Sequence, residues 1–164
     1  MSTTDRLLLL LHIGFAIFTL GPLTAATMAT PRYIRKRDTD VVRYLNRATR
    51  IYGFGTLGVL VVGLIMASDR FDEFWLSASM TLFAVALVLL FLIERDQRKS
   101  ANLLAAAAAD RTEPAAEAAG DDATKTATGQ ETEIAQVERG RIAAFSGVVA
   151  LLWLVILVLM VWNG

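Results

Sequence analysis

His12 is the residue best suited to chemistry in this sequence, because it is the only histidine and stands inside a long apolar segment. It lies about two helical turns from Arg6, at ~1.5 Å of rise per residue. An ionisable side chain inside a membrane segment indicates a functional role by default. A neutral imidazole can hydrogen-bond to a neighbouring helix, or it can ligate haem or copper. The residue alone leaves both interpretations open and favours the hydrogen bond.

Met80 extends the ligand hypothesis to a second side chain. It stands six residues from the start of its apolar segment, at Phe74, as His12 does from Arg6. A thioether together with an imidazole suits Cu(I) or a haem with His/Met ligation, although methionine is also an ordinary packing residue. His12 and Met80 are therefore the candidate cofactor ligands, and haem b or copper the candidate cofactors.

Other kinds of catalytic chemistry find no support in the sequence. The chain has no cysteine, which excludes disulfides, thiolate metal sites and cysteine nucleophiles. It contains no nucleophile elbow, phosphate-binding loop or HExxH motif. The basic loop lacks the domain context of a nucleic-acid reader, so no nucleic-acid partner is expected. We therefore expect a protein that is not an enzyme.

Four apolar segments must position these side chains. They are Arg6–Thr30, Ile51–Ser68, Phe74–Ile93 and Ile142–Trp162. A helix needs ~20 mostly apolar residues to cross a bilayer, and each segment meets or approaches that length. Apolar residues make up 55% of the chain. The sequence predicts an all-α fold, a bundle of four transmembrane helices.

The charged loops predict how the helices are oriented. Short loops rich in Lys and Arg stay on the cytoplasmic side, and the loop 31–50 contains Arg32, Arg35, Lys36, Arg37, Arg43, Arg47 and Arg50. The loop 69–73 is mainly acidic, and the third connection is again flanked by basic residues. Both termini are therefore expected outside. Arginine and alanine abundance favours a bacterial origin, hence a multi-pass protein of the bacterial inner (plasma) membrane.

The connections divide the chain into three parts. Residues 1–100 hold the first three transmembrane helices and the basic cytoplasmic loop 31–50; residues 101–130 form a low-complexity, disordered, Ala-rich cytoplasmic loop; residues 131–164 hold the fourth helix. Pro31 is expected to end the first helix. Asp38 and its neighbours can cap a basic amphipathic helix from Val41, which lies at the interface or bends directly into the second span. The third helix is expected to project toward Ala109.

Two further sets of residues have predicted contacts. Basic side chains of the 31–50 loop can bind anionic lipid headgroups or a protein partner, unless they only set the orientation; these are Arg35, Lys36, Arg37, Arg43, Arg47 and Arg50. Small residues allow helices to approach closely in lipid, and Pro22 is expected to kink the first helix. The predicted packing positions are Gly14, Gly21, Pro22, Gly55, Gly58, Gly63 and Gly147.

Two stretches carry a family resemblance: the run from Leu11 to Pro22, and the run Tyr44–Gly53 (YLNRATRIYG) after Pro31-Arg32. The chain resembles an uncharacterised bacterial family of predicted four-helix integral membrane proteins. More distantly it is similar to the copper-resistance D-type proteins and the membrane protoporphyrinogen-oxidase-like haem proteins. The resemblance implies a four-helix bundle with His12 at the haem-ligand position. The chain departs from those haem proteins because it has neither a second histidine nor a lysine inside a span.

Three functions follow as hypotheses. The first is a non-enzymatic accessory or assembly subunit of a larger membrane complex, or a small homo-oligomer, with other membrane subunits or a second copy as partner. The second is a haem- or copper-handling membrane redox protein that uses His12. The third is a small channel or transporter, for which Pro22 and the glycines are the only signals.

Overall fold

The computed structural model describes the backbone of residues 3–67, 72–109 and 121–163, with the side chains of 109 and 121–138 outside the description. Within these residues the chain forms helices and no strand: α1 (Thr3–Arg35), α2 (Thr39–Met66), α3 (Phe74–Ala109) and α4 (Asp121–Asn163). Each helix contains a stretch long and apolar enough to cross a membrane. The prediction of four membrane-spanning helices in an all-α chain is confirmed at this level.

The helices pack in the cyclic order α1, α2, α3, α4, with each lying along two neighbours. His12 lies against Gly63 and Thr19 against Gly55, so α1 and α2 run antiparallel. On the other side of the bundle the Phe83 ring meets the Trp153 ring edge-on, with centroids 5.1 Å apart.

A heptad pattern explains why long stretches of these helices stay in contact. A series of buried positions in α3 alternates in steps of three and four residues, with Asp96 and Ala101 buried beside it: Leu76, Ser79, Phe83, Ala86, Leu90, Ile93, Gln97 and Ser100. A repeat of 3.5 residues keeps one seam facing its neighbours when the helices cross at a small left-handed angle of ~20°. The fully buried core side chains Leu23, Val42, Ile93 and Ile142 come one from each helix.

α1 extends beyond the proline that was expected to end it. It continues through Pro31 to Arg35, so the prediction that Pro31 ends the first helix is wrong. Proline removes one N–H from the helical ladder, but hydroxyl groups in the same turns add hydrogen bonds to the main chain. Thr30 donates to the carbonyl of Ala26 at 2.9 Å, and Thr27 donates to that of Thr24 at 3.1 Å. Helix is retained because such bonds and packing against other helices compensate for the lost donor.

The connection between α1 and α2 is only three residues long. The N–H of Arg37 bonds to the carbonyl of Ile34, and the N–H of Asp38 bonds to that of Tyr33, which is the Schellman pattern of helix ends. Arg37 adopts the left-handed conformation that this motif requires, with a φ of 57°. Asp38 then caps α2, because its carboxylate accepts from the N–H of Val41 at 3.2 Å. α2 runs unbroken to Met66, so the segment after Val41 continues directly into the second span.

The connection between α3 and α4 contains more helix than expected. α3 reaches Ala109, as predicted, and α4 begins at Asp121. Helix is thus described over 121–130, where the sequence predicts disorder, and residues 110–120 lie outside the described residues. Helix elongation costs little once a nucleus exists, and the membrane-spanning part of α4 supplies that nucleus.

Candidate functional site

Three side chains of α1 lie against three glycines of α2. A Cβ atom placed on Gly63 would lie 3.1 Å from Cε1 of His12, and one on Gly58 would lie 3.1 Å from the ring of Phe15. A Cβ on Gly55 would come within 2.7 Å of the Thr19 methyl group. The absence of side chains at these glycines lets the two helices approach closely. We call these six residues the α1–α2 glycine seam.

His12 occupies the end of this seam nearest the start of α1. The residue is partly buried, and the main chain of Val59 lies beside its ring. Among the described residues its Nδ1 atom is buried and has no hydrogen-bond partner. A buried polar atom in this position needs a partner from water, a ligand or another helix. The imidazole is therefore the side chain on α1 with unused binding capacity.

The described residues supply one possible ligand and do not complete a cofactor site. Met80 lies on α3 with 36% of its surface exposed, and none of the described contacts joins it to His12. In the described part of the chain, no group of three or more His, Asp or Glu residues could hold a metal ion. The imidazole is also packed on Gly63. The described residues around His12 therefore do not by themselves complete a haem or copper site.

The predicted packing glycines fall into two groups. Gly55, Gly58 and Gly63 belong to the α1–α2 glycine seam. A Cβ atom on Gly14, Gly21 or Gly147 would meet no described atom within 4 Å, so these three face open space around the bundle. Pro22 lies inside α1, half-buried, next to the core residue Leu23.

A polar cluster joins the four helices at the end of the bundle opposite His12. One turn of α3 lies at the centre of this cluster. The carboxylate of Asp96 accepts from two guanidinium nitrogens of Arg141 on α4, at 2.6 to 3.0 Å. Gln97 donates from Nε2 to the hydroxyl of Thr30 on α1, at 2.7 Å. Asn46 of α2 donates to the carbonyl of Glu94, at 3.0 Å. This turn therefore binds each of the other three helices through a different residue, and we call the set the polar clamp.

Burial makes the polar clamp selective for one arrangement of helices. The Asp96 side chain is 3% exposed and the Arg141 side chain 50%. The Thr30 hydroxyl donates to Ala26, so it can only accept from Gln97, which determines how the Gln97 amide is oriented. A shift of α4 or α1 by one turn would leave the Asp96 carboxylate or the Gln97 Nε2 group buried and unpaired, at a cost of ~1–3 kcal/mol each.

The sequence contained a signal for the polar clamp that hydropathy does not show. The predicted third apolar segment ends at Ile93, so Asp96 and Gln97 fall among the flanking charges. The heptad of buried positions, however, continues from Leu90 and Ile93 to Gln97 and Ser100. Extending that repeat by one step would have placed Gln97 inside the bundle.

The basic residues of the 31–50 segment lie at the same end of the bundle as the polar clamp. Arg35 ends α1, and Lys36 and Arg37 form the turn, where the ammonium of Lys36 lies 5.7 Å from the ring centre of Tyr33. Arg43, Arg47 and Arg50 are exposed on α2.

Compared with models of protein families, with curated proteins and with solved structures, the chain shows no match. The resemblance to four-helix membrane proteins and to haem proteins of the membrane therefore stays a prediction.

Proposed function

We propose that the chain is a non-enzymatic accessory or assembly subunit that associates, within a bacterial plasma membrane, with another membrane protein or with a second copy of itself. The observation that carries this proposal is that the other helices of the chain bury little of α1. In its most apolar stretch 11% of the residues are buried, compared with 33% in α3. From Thr3 to Phe18 no described residue of α1 is buried.

Lipid acyl chains are expected to cover only part of the exposed surface of α1. Acyl chains can cover the exposed Leu10, Ile17 and Phe18. Gly14 and Gly21 lie on the same face of α1 as these exposed side chains and leave open space beside them. Small residues let a partner helix approach closely, and polar side chains then bond across the interface. A helix from a partner protein that packs on this face would fill the space beside Gly14 and Gly21.

The test is affinity purification from the native host in mild detergent, with mass spectrometry of the associated proteins. A membrane partner in constant stoichiometry, or a homo-oligomer, is expected. The double variant Gly14→Leu/Gly21→Leu should lose that partner, because leucine fills the open space on α1. Gly53→Leu is the matched control, since Gly53 also meets no described atom within 4 Å but lies on α2. A wild-type particle that is strictly monomeric and free of partners would refute the proposal.

The free Nδ1 of His12 favours a second candidate, a haem- or copper-handling protein whose other ligand comes from a partner. The purified protein would then show a haem absorption band or bound copper, and His12→Ala would abolish it. Phe15→Ala is the control, because it alters the same seam without removing a ligand. A colourless, metal-free preparation from the native host would eliminate this candidate.

A further inference from the structure

The outward face of α2 changes from basic to apolar along a single line of side chains. The line runs through Arg43, Arg47, Arg50, Phe54, Leu57 and Val61, in steps of four and three residues. Residues with this spacing share one face of a helix. The apolar members are exposed, with 69% of Phe54, 41% of Leu57 and 54% of Val61 accessible. We call these six residues the α2 stripe.

The α2 stripe points away from the bundle. The buried residues of α2 include Val42, Leu45, Thr49 and Thr56, none of which lies on this line. The fold therefore leaves the stripe without a helix of its own chain to cover it.

The three arginines keep their charge available for an external anion. Among the described residues, Arg43, Arg47 and Arg50 form no ion pair, while the one ion pair of the polar clamp involves Arg141. Asp40, exposed one turn before Arg43, is the acidic residue nearest to the line in sequence. Three positive charges against one negative charge leave the basic half of the stripe cationic.

The length of the apolar half matches one leaflet of a bilayer. From Arg50 to Val61 the helix advances eleven residues, or about 16 Å at ~1.5 Å per residue. Half of a ~30 Å hydrocarbon core is ~15 Å. An acyl chain that starts beside Arg50 would therefore follow Phe54, Leu57 and Val61 to the middle of the membrane.

We propose that the α2 stripe binds one anionic phospholipid of the leaflet that contains the α1–α2 turn. Arg47 and Arg50 hold the phosphate, because a guanidinium presents a fork of N–H donors that matches phosphate oxygens. Arg43 adds a third positive charge on the aqueous side. The chain of the same lipid lies along Phe54, Leu57 and Val61. This inference does not depend on the proposed function, because it concerns α2 and the partner surface concerns α1.

The test measures lipid selectivity with the full chain reconstituted in nanodiscs of phosphatidylcholine and phosphatidylglycerol. After detergent extraction, mass spectrometry determines the ratio of the two lipids that stay bound. Each basic residue near an anionic surface contributes ~5-fold to the affinity. The triple variant with Arg43, Arg47 and Arg50 changed to Gln should therefore lose phosphatidylglycerol preference by roughly 100-fold. Changing the same three residues to Lys should retain only part of it, because lysine keeps the charge but not the fork of donors. Phe54→Ala should reduce retention of both lipids.

The matched control is Arg95→Gln/Arg98→Gln, which removes exposed positive charges from α3 at the same end of the bundle. It should reduce the preference less per charge removed than the triple variant does, since these residues lack the continuous apolar line. An equal loss in the control would show general attraction to an anionic surface and overturn the site. Displacement of the lipid by inorganic phosphate would show an anion site without an acyl chain. A wild-type protein with no preference, or a second copy cross-linked through Phe54, would also overturn the proposal.

Discussion

The close contact of Gly55 in the α1–α2 glycine seam predicts that a larger residue there destabilises the protein. A Cβ atom there would lie 2.7 Å from the Thr19 methyl group and 3.4 Å from Thr19 Cβ. The methyl group cannot easily rotate away, because the Thr19 hydroxyl donates to the carbonyl of Phe15 at 2.5 Å. Gly55→Ala gains ~1 kcal/mol of helix propensity but adds overpacking that costs ~1–3 kcal/mol. The net free energy of unfolding should therefore fall by up to about 2 kcal/mol.

Gly53→Ala is the control for this change, since Gly53 is on the same helix and meets no described atom within 4 Å. It should stabilise the protein by up to ~1 kcal/mol. Thr19→Ser removes the clashing methyl group and keeps the hydroxyl, so Gly55→Ala/Thr19→Ser should recover most of the loss. Unfolding free energies measured by steric trapping in mild detergent would compare the variants. The reasoning is refuted if Gly55→Ala is as stable as Gly53→Ala, or if Thr19→Ser does not rescue it.

Two further predictions concern the polar clamp and the connection between α1 and α2. Arg141→Gln should destabilise the protein by about 1–3 kcal/mol, less than a fully buried pair because Arg141 is half exposed. Asp96→Asn should cost less, since the Arg141 side chain can then reach water; equal losses in thermal unfolding would contradict this. Arg37→Gly should stabilise the protein by up to ~1 kcal/mol, because glycine adopts the left-handed conformation without strain. Arg37→Ala removes the same charge without this gain, and an equal shift in its melting temperature would argue against the conformational explanation.

The parts of the fold that the sequence predicted are those that depend on neighbouring residues along the chain. The four membrane-spanning helices follow from apolar length, and the Asp38 cap follows from one carboxylate at a helix start. The prediction that Pro31 ends the first helix is wrong for a physical reason. Its missing N–H argues for a helix end, but the threonines before it and the packing of Ile34 into the core outweigh that local cost.

Side-chain contacts between helices could not be predicted in the same way. Gly14 and Gly55 look alike in sequence, yet one faces open space and the other lies against Thr19. Asp96 and Arg95 are adjacent charged residues, yet Asp96 is buried and Arg95 is exposed. Rotation by ~100° per residue separates such neighbours, and only the partner helix decides which one enters the interior.

The sequence alone thus determined that the chain forms four helices long enough to span a membrane, because hydrophobic length is a property of each segment by itself. The tertiary structure decided that His12 lies on Gly63 with a free Nδ1, and that the Glu94–Gln97 turn bonds to all three other helices. It also decided that the α2 stripe stays uncovered. These outcomes depend on helix register and rotation, which packing and buried hydrogen bonds set together.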